Sequence, residues 1–86
     1  MYFYHAWKDF PDGLSFHYLG CTKDAVWTKA KRGSEVENLK IERLGEDELV
    51  DFLSNRSWLS FEGIVENLGY LYKGAVIAFT EIRDER

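Results

Sequence analysis

Disulfide bridges and long hydrophobic runs are the first things that this sequence lacks. Its 86 residues include one cysteine, Cys21, and one proline. A single cysteine excludes an intrachain disulfide framework, on which secreted domains this short usually depend. The longest apolar run, 75–79, is far shorter than the roughly 18 residues of a membrane span. No basic segment followed by an apolar stretch opens the chain, so we expect no signal peptide, no membrane and a cytoplasmic location.

Motifs for catalysis, metals and cofactors are also missing. The glycines form neither a G-x-G-x-x-G loop nor a Walker loop, so no nucleotide cofactor is predicted. His5 and His17 could face each other, but a metal site needs three or four ligands and Cys21 lies about 13 Å further along the strand. Cys21 with His17 as its base would make a thiol nucleophile, yet a lone cysteine is more often a small buried hydrophobe. We therefore predict no catalytic residue, no metal, no cofactor and no enzyme.

What the sequence does contain is typical of a folded protein. Hydrophobic residues make up 45% and charged residues 30%, which is a globular composition. A chain of this length has room for one hydrophobic core, so residues 1–86 are predicted to form a single domain. Aromatic residues make up 16%, and such side chains dominate the energetics of both cores and interfaces. We expect that a core this small does not bury all of them.

The charge is divided unevenly along the chain. The net charge of −4 combines five basic and three acidic residues in 1–33 with six basic and twelve acidic residues in 34–86. An acidic balance argues against general nucleic-acid binding, since affinity for nucleic acids comes mostly from neutralising phosphates. The second part of the chain is therefore the better candidate for contacts with a basic partner.

A β-hairpin is the clearest local pattern. Residues 2–8 and 14–20 are rich in aromatic and apolar residues, and the turn sequence at 9–13 contains proline, aspartate and glycine. If all of 9–13 is loop, Lys8 faces Leu14. One face is then apolar and consists of Tyr2, Tyr4, Ala6, Leu14, Phe16 and Tyr18. The other face is mixed, consists of Phe3, His5, Trp7, Ser15, His17 and Leu19, and is predicted to be exposed.

Three helices are predicted further along the chain. Thr22 is a suitable N-cap and Gly33 a suitable C-terminal glycine for the first helix. Three acids at 46–48 favour the start of the second helix through the helix dipole. The third helix is predicted between Trp58 and Gly69, although Gly63 weakens it. Its apolar stripe consists of Trp58, Phe61, Ile64, Val65 and Leu68.

Two further strands complete the pattern. Residues 36–44 alternate between polar and apolar side chains, and 75–82 have the strongest β-propensity. Because 75–79 carry apolar residues on both faces, we expect this last strand to be central in the sheet. A short extra strand at 70–72 is an open alternative. The predicted fold is α+β: a small, mainly antiparallel sheet of about four strands in the order β-β-α-β-α-α-β, with helices packed on one face.

These patterns favour a small acidic protein that binds another protein. We expect a regulator or inhibitor that docks on a basic, nucleic-acid-binding protein, a type common among phage-encoded proteins. Acidic side chains, together with a mixed hairpin face that is more apolar than a solvent face needs, would steer and hold such a partner. The predicted contact residues are Glu46, Asp47, Glu48, Asp51, Glu62, Glu66, Phe3, His5 and Trp7.

Two alternatives remain open from the sequence. A nucleic-acid module would use the basic first helix, 22–33, through Trp27, Lys29, Lys31 and Arg32. A homo-oligomeric structural protein would bury the aromatic hairpin face against a second copy of the chain.

Overall fold

The computed structural model describes residues 1–32 and 38–82, and it confirms the predicted order of strands and helices. The four strands form one antiparallel sheet in the order β3-β1-β2-β4. The α+β class and the four-stranded sheet are therefore confirmed. The elements are β1 (Phe3–Asp9), β2 (Leu14–Gly20), α1 (Lys23–Arg32), β3 (Lys40–Leu44), α2 (Glu46–Ser54), α3 (Phe61–Tyr72) and β4 (Ile77–Ile82). Within the described ranges no helix has the length and apolarity needed to cross a membrane.

The hairpin turn is shorter than predicted. Phe10 N donates to Leu14 O at 2.8 Å, and Gly13 N donates to Phe10 O at 3.1 Å. Gly13 has a φ of +93°, a left-handed conformation that glycine adopts without strain. Lys8 therefore faces Phe16 instead of Leu14. Because side chains alternate between the two faces with a period of two, this two-residue shift leaves every residue on its predicted face.

Side chains cap the first two helices at their N-termini. Thr22 Oγ1 accepts a hydrogen bond from Ala25 N at 3.1 Å, which confirms Thr22 as the N-cap of α1. The proposed C-terminal glycine, Gly33, lies outside the described residues. At the start of α2, Gly45 N donates to Glu48 Oε1 at 2.7 Å. The acids at the start of α2 therefore stabilise it by hydrogen bonding as well as through the helix dipole.

Helix α3 begins and ends three residues later than predicted. Ser60 Oγ accepts from Gly63 N at 3.0 Å, so Gly63 lies in the first turn, where it does not interrupt the helix. The helix continues through Gly69 because Leu71 extends the buried side of the helix and is fully buried. It stops before Gly74, whose φ is +92°. The alternative of an extra strand at 70–72 is therefore wrong.

The last two strands are shorter than predicted, and the final one lies elsewhere in the sheet. Strand β3 covers 40–44, while residues 36 and 37 of the predicted strand lie outside the described residues. Strand β4 begins at Ile77 and forms an edge of the sheet instead of its centre. Its side chains alternate between half-buried and exposed, because α3 packs against one face only.

The helices are divided between the two faces of the sheet, which corrects the expectation that all of them pack on one face. Helix α1 covers the apolar hairpin face, where Val26 and Ala30 pack against Ala6 and Tyr18. Helices α2 and α3 cover the mixed face. The buried side chains between these helices and the mixed face form one cluster, which consists of Phe3, Leu19, Leu44, Leu49, Leu53 and Leu71. Both hairpin faces carry apolar side chains, and burying both stabilises the fold more than burying one.

Candidate functional site

A row of polar side chains crosses the sheet face that lies under α2. Each strand contributes a member: Glu42 from β3, His5 from β1, Ser15 and His17 from β2, and Glu81 from β4. The antiparallel register brings them together, since His5 is opposite Glu42 across β1 and β3. On the other side, Ser15 is opposite Glu81 across β2 and β4. We call these five residues the sheet-face network.

Hydrogen bonds join four of the five members into one chain. His5 Nδ1 lies 2.9 Å from Glu42 Oε2, and His5 Nε2 lies 2.8 Å from His17 Nδ1. His17 Nε2 lies 2.8 Å from Ser15 Oγ. A charged Glu42 requires a proton on His5 Nδ1, so His17 Nδ1 donates to His5 Nε2 and the Ser15 hydroxyl donates to His17 Nε2. This assignment gives every hydrogen bond of the chain one donor and one acceptor, while a second carboxylate oxygen, Glu81 Oε1, lies 3.4 Å from His17 Nε2.

Both histidines are neutral at pH 7. Burial, and then the neighbouring His5, lower the pKa of His17 from 6.5 to about 4, although the Glu81 carboxylate opposes the shift. Burial also lowers the pKa of His5, and this outweighs its hydrogen bond with Glu42. Aromatic rings surround the pair, since Trp7 stacks on His5 at 4.7 Å and Phe79 stacks on His17 at 4.9 Å between ring centroids. Charging either imidazole is therefore unfavourable.

The order of atoms in this chain is that of a nucleophilic serine, a histidine base and an orienting group. Here a second imidazole, His5, stands between the base and the carboxylate. The side chain of Ser15 is only 2% exposed, however. A substrate carbonyl cannot approach a hydroxyl that is covered to this extent, so this geometry favours a structural role. Each buried polar group finds its partner inside the network.

The network meets solvent beside Arg56. The Arg56 guanidinium lies 3.8 Å from the ring centroid of Phe52, and its Nε is 3.1 Å from Glu81 Oε2. This contact is an ion pair rather than an aligned hydrogen bond, since Nε has no hydrogen-bond partner among the described residues. Trp58 Nε1 donates to the same oxygen at 3.2 Å. A cavity of about 550 Å³ opens here and is lined by Leu14, Asn55, Arg56, Ser57, Trp58, Thr80, Glu81 and Ile82.

The hairpin residues predicted to contact a partner are mostly covered, so the expectation that the mixed face is exposed is wrong. Phe3 is 0% exposed and meets Tyr72 edge to face at 5.4 Å between ring centroids. His5 is buried in the sheet-face network, and Trp7 is half-buried against it. The mixed face looked suited to solvent because of its histidines and serine. These polar groups satisfy one another, which allows the whole face to be buried under α2 and α3.

The six predicted acids are all exposed. On α2 they are Glu46, Asp47, Glu48 and Asp51, and on α3 they are Glu62 and Glu66. Two of them also have structural roles. Glu48 caps α2, and Glu46 Oε2 accepts from the Tyr72 hydroxyl at 2.6 Å, a bond that raises the pKa of Tyr72. This last bond joins the end of α3 to the start of α2, so the acids of both helices lie on the same side of the sheet.

Exposed apolar side chains also lie on α3. Phe61 is 79% exposed, and Val65 and Tyr72 are about half exposed. The three residues follow the spacing i, i+4 and i+11, so they form one stripe along the helix. Phe61 and Val65 do not belong to the buried stripe as predicted, whereas the predicted members Ile64 and Leu68 do pack against the core, together with Leu71. We call the six acids together with Phe61, Val65 and Tyr72 the acidic helix surface.

The basic side chains of α1 lie on the opposite side of the sheet. Lys29, Lys31 and Arg32 are exposed, and Trp27 is 42% exposed. Asp24 also belongs to this surface, since it lines a shallow cleft with Lys29 and Arg32. The four residues predicted for nucleic-acid contact are therefore accessible.

Comparison with protein-family models, with curated proteins and with solved structures gives no match for this chain. Groups of three or more His, Cys, Asp or Glu side chains that could hold a metal ion do not occur among the residues described. Both ring nitrogens of His17 are engaged with His5 and Ser15. The sequence-based idea that His17 acts as a base for Cys21 finds no support in that arrangement.

Sequence reasoning missed Ser15 and Glu42 as partners of the histidines, and it missed Phe61, Val65 and Tyr72 as exposed residues. A usable signal existed for the first group, because Ser15 and His17 are two apart on one strand and therefore share a face. For the second group the sequence was ambiguous, because Ser57 and Ser60 are equally suitable N-caps for helices that start at Trp58 and at Phe61. The helix that starts at Phe61 has Ile64 and Leu71 on its buried side.

Proposed function

We propose that this protein is a non-enzymatic binding module that docks on a basic surface of another protein through the acidic helix surface, and that it regulates or inhibits that protein. The observation that supports this most is the stripe of Phe61, Val65 and Tyr72. Two of these side chains are more than half exposed, although burial would stabilise the fold. Glu62 and Glu66 directly follow Phe61 and Val65 in the helix, so apolar anchors and charged groups adjoin each other on this surface, as they do in protein interfaces.

Charge supports the basic character of the partner. Glu62 and Glu66 are four residues apart on α3, and Asp47 and Asp51 are four apart on α2. Like charges at this spacing destabilise a helix by a few tenths of a kcal/mol. A basic partner would relieve this repulsion and would be attracted at long range. We therefore place the docking contact on the acidic helix surface and no longer on Phe3, His5 and Trp7.

Charge reversal on the acidic helix surface tests the proposal. We expect the triple variant Asp51→Lys, Glu62→Lys, Glu66→Lys to bind its partner roughly a hundredfold more weakly, a loss that matches two or three weakened charge contacts. The side chains of these three acids are exposed and make no hydrogen bond or ion pair with other described residues, so the fold should remain intact. Glu46 and Glu48 are left unchanged because of their bonds to Tyr72 and Gly45.

The measurement begins with parallel affinity capture from cells of the native host, using the wild type, the triple variant and a control. The control, Lys29→Glu with Lys31→Glu, changes the charge of α1 on the opposite face. Calorimetry with the purified partner, at two salt concentrations, then gives the affinities. A basic protein retained by wild type and control but lost by the triple variant supports the proposal. Equal affinity for wild type and triple variant, with circular dichroism unchanged, contradicts it.

A nucleic-acid contact through α1 is the second candidate, because Trp27 is exposed beside Lys31 on a cationic helix. If α1 binds single strands, titration with a single-stranded oligonucleotide should quench tryptophan fluorescence. The quenching should weaken with added salt, as phosphate contacts require. The variant Trp27→Ala should lose most of the signal. An unchanged spectrum in low salt, for both DNA and RNA, would remove this candidate.

A further inference from the structure

The two edges of the sheet differ in how well they are protected against pairing. Strand β3, at one edge, carries charges on Lys40, Glu42 and Arg43 among its five residues. Strand β4, at the other edge, carries a single charge, Glu81, which is already paired with Arg56. Charged side chains are a common way for proteins to prevent strands from adding to a sheet edge. Only β3 has this protection.

The hydrogen-bond pattern shows which groups of β4 point away from the sheet. Phe10 N donates to Leu14 O, so the even-numbered residues of β2 bond to β1. The odd-numbered residues of β2 therefore bond to β4, and their partners there are the odd-numbered residues 77, 79 and 81. The backbone N–H and C=O groups of Ala78, Thr80 and Ile82 consequently point outward, to the open edge.

We propose that β4 pairs with β4 of a second copy of the chain, antiparallel and about a two-fold axis at Thr80. Each Thr80 then faces the other, and Ala78 of each copy faces Ile82 of the second copy. The outward residues are symmetric about Thr80, so this one register pairs all of them and forms about six hydrogen bonds. The result is a continuous eight-stranded sheet. The contact is made by β4 and not by α2 or α3, so this inference goes beyond the proposed function.

The side chains of β4 fit this register on both faces of the sheet. Ile82 is 83% exposed, and in the dimer it lies opposite the small side chain of Ala78. Thr80 meets Thr80, which is a favourable cross-strand pair. On the other face, Glu81 lies opposite Phe79 of the second copy, so no like charges meet. These features favour a second copy over an unrelated strand, because the large Ile82 of each copy meets the small Ala78 of the other and no like charges face each other.

Proline substitution at the edge provides the main test. Thr80→Pro removes an outward N–H but no bond within the sheet, as proline at a sheet edge usually does. We expect the wild type to approach twice its mass of 10.1 kDa in sedimentation equilibrium as concentration rises toward the millimolar range. Thr80→Pro should associate roughly tenfold more weakly or not at all. Arg43→Pro is the matched control, since its N–H points outward from β3, and it should behave like the wild type.

A cross-link tests the register and does not depend on whether a proline variant folds. In a Cys21→Ser background, Thr80→Cys should form a disulfide-linked dimer under mild oxidation, because hydrogen-bonded antiparallel partners have Cα atoms about 5.5 Å apart. Arg43→Cys should remain monomeric. A wild type that stays monomeric at millimolar concentration would overturn the proposal. So would equal weakening by both prolines, or a Thr80→Cys dimer no more abundant than the Arg43→Cys dimer.

Discussion

Replacing Phe3 with alanine is expected to lower the free energy of unfolding by about 4 kcal/mol. Phe3 is fully buried between the sheet and the helices α2 and α3, where it packs with Leu19 and Leu71 and against the ring of Tyr72. Its removal leaves a cavity that rigid neighbours fill only in part. Small domains are stable by about 5–15 kcal/mol, so the variant should be close to unfolding at room temperature. Urea denaturation followed by circular dichroism measures the change.

Phe61→Ala is the matched control for Phe3→Ala, because it deletes the same side chain from an exposed position. It should change the free energy of unfolding by no more than about 0.5 kcal/mol. The same variant should bind the partner more weakly, since exposed aromatic anchors contribute much of the energy of an interface. If Phe61→Ala were as destabilising as Phe3→Ala, the stripe on α3 would belong to the core, and the proposed docking surface would lose its anchors.

Lowering the pH is expected to reduce the free energy of unfolding over a pH range in which most surface groups do not change charge. The folded-state pKa of His17 is about 4 and its ordinary value is 6.5, so the unfolded chain binds more protons between these values. The stabilisation is complete above pH 6.5 and is lost as the pH falls toward 4. At about 1.4 kcal/mol per unit of pKa difference, His17 alone accounts for about 3 kcal/mol. His5 acts in the same direction, because its pKa is also lowered.

The charged groups around the histidines do not reverse this direction. Glu42, Glu81 and Asp9 favour protonation, whereas Arg56 and burial oppose it, and burial is the largest influence on both rings. The measurement is the free energy of unfolding in urea at pH 7.5, 6 and 5. Between pH 6.5 and 5, before most carboxylates titrate, His17 should account for a loss of about 2 kcal/mol.

A triple variant, Ser15→Ala with His5→Phe and His17→Phe, is the control for the acid prediction. It replaces the hydrogen-bonded chain with apolar side chains of similar shape, an exchange that can be close to neutral at pH 7. Phenylalanine also preserves the stacking on Trp7 and Phe79. This variant should be nearly insensitive to pH between 7.5 and 5. A wild type that is equally insensitive would show that the two histidines are accessible to water and normal in pKa.

Local sequence patterns were sufficient for the element order and for the sorting of the hairpin faces. The face of each hairpin residue depends only on whether its number is odd or even, so even a two-residue error in register left Phe3 and His17 on the same face. The ends of α3 were misplaced because Gly69 and Gly74 are both plausible stops. Only the burial of Leu71 by tertiary packing decides between them.

The positions of the buried polar network and of the exposed stripe on α3 could not be predicted from the sequence alone. His5, Ser15 and His17 made the mixed face look suited to water, since polar residues are usually exposed. They are buried because they bond with one another and with Glu42, which comes from a strand more than twenty residues further along the chain. Pairing at such sequence separations depends on the topology of the sheet. The same topology places α3 so that Phe61 faces solvent.

The division of the helices between the two faces has an electrical consequence. The Cα atoms extend only 18 Å along the shortest axis of the molecule, with the cationic α1 on one face of the sheet and the six acids of α2 and α3 on the other. Among the described residues, this arrangement places positive and negative side chains on opposite faces of the sheet. In the electric field of a cationic partner, the molecule would rotate so that α2 and α3 face the partner before any contact forms. Collisions would then begin in a productive orientation more often than chance allows.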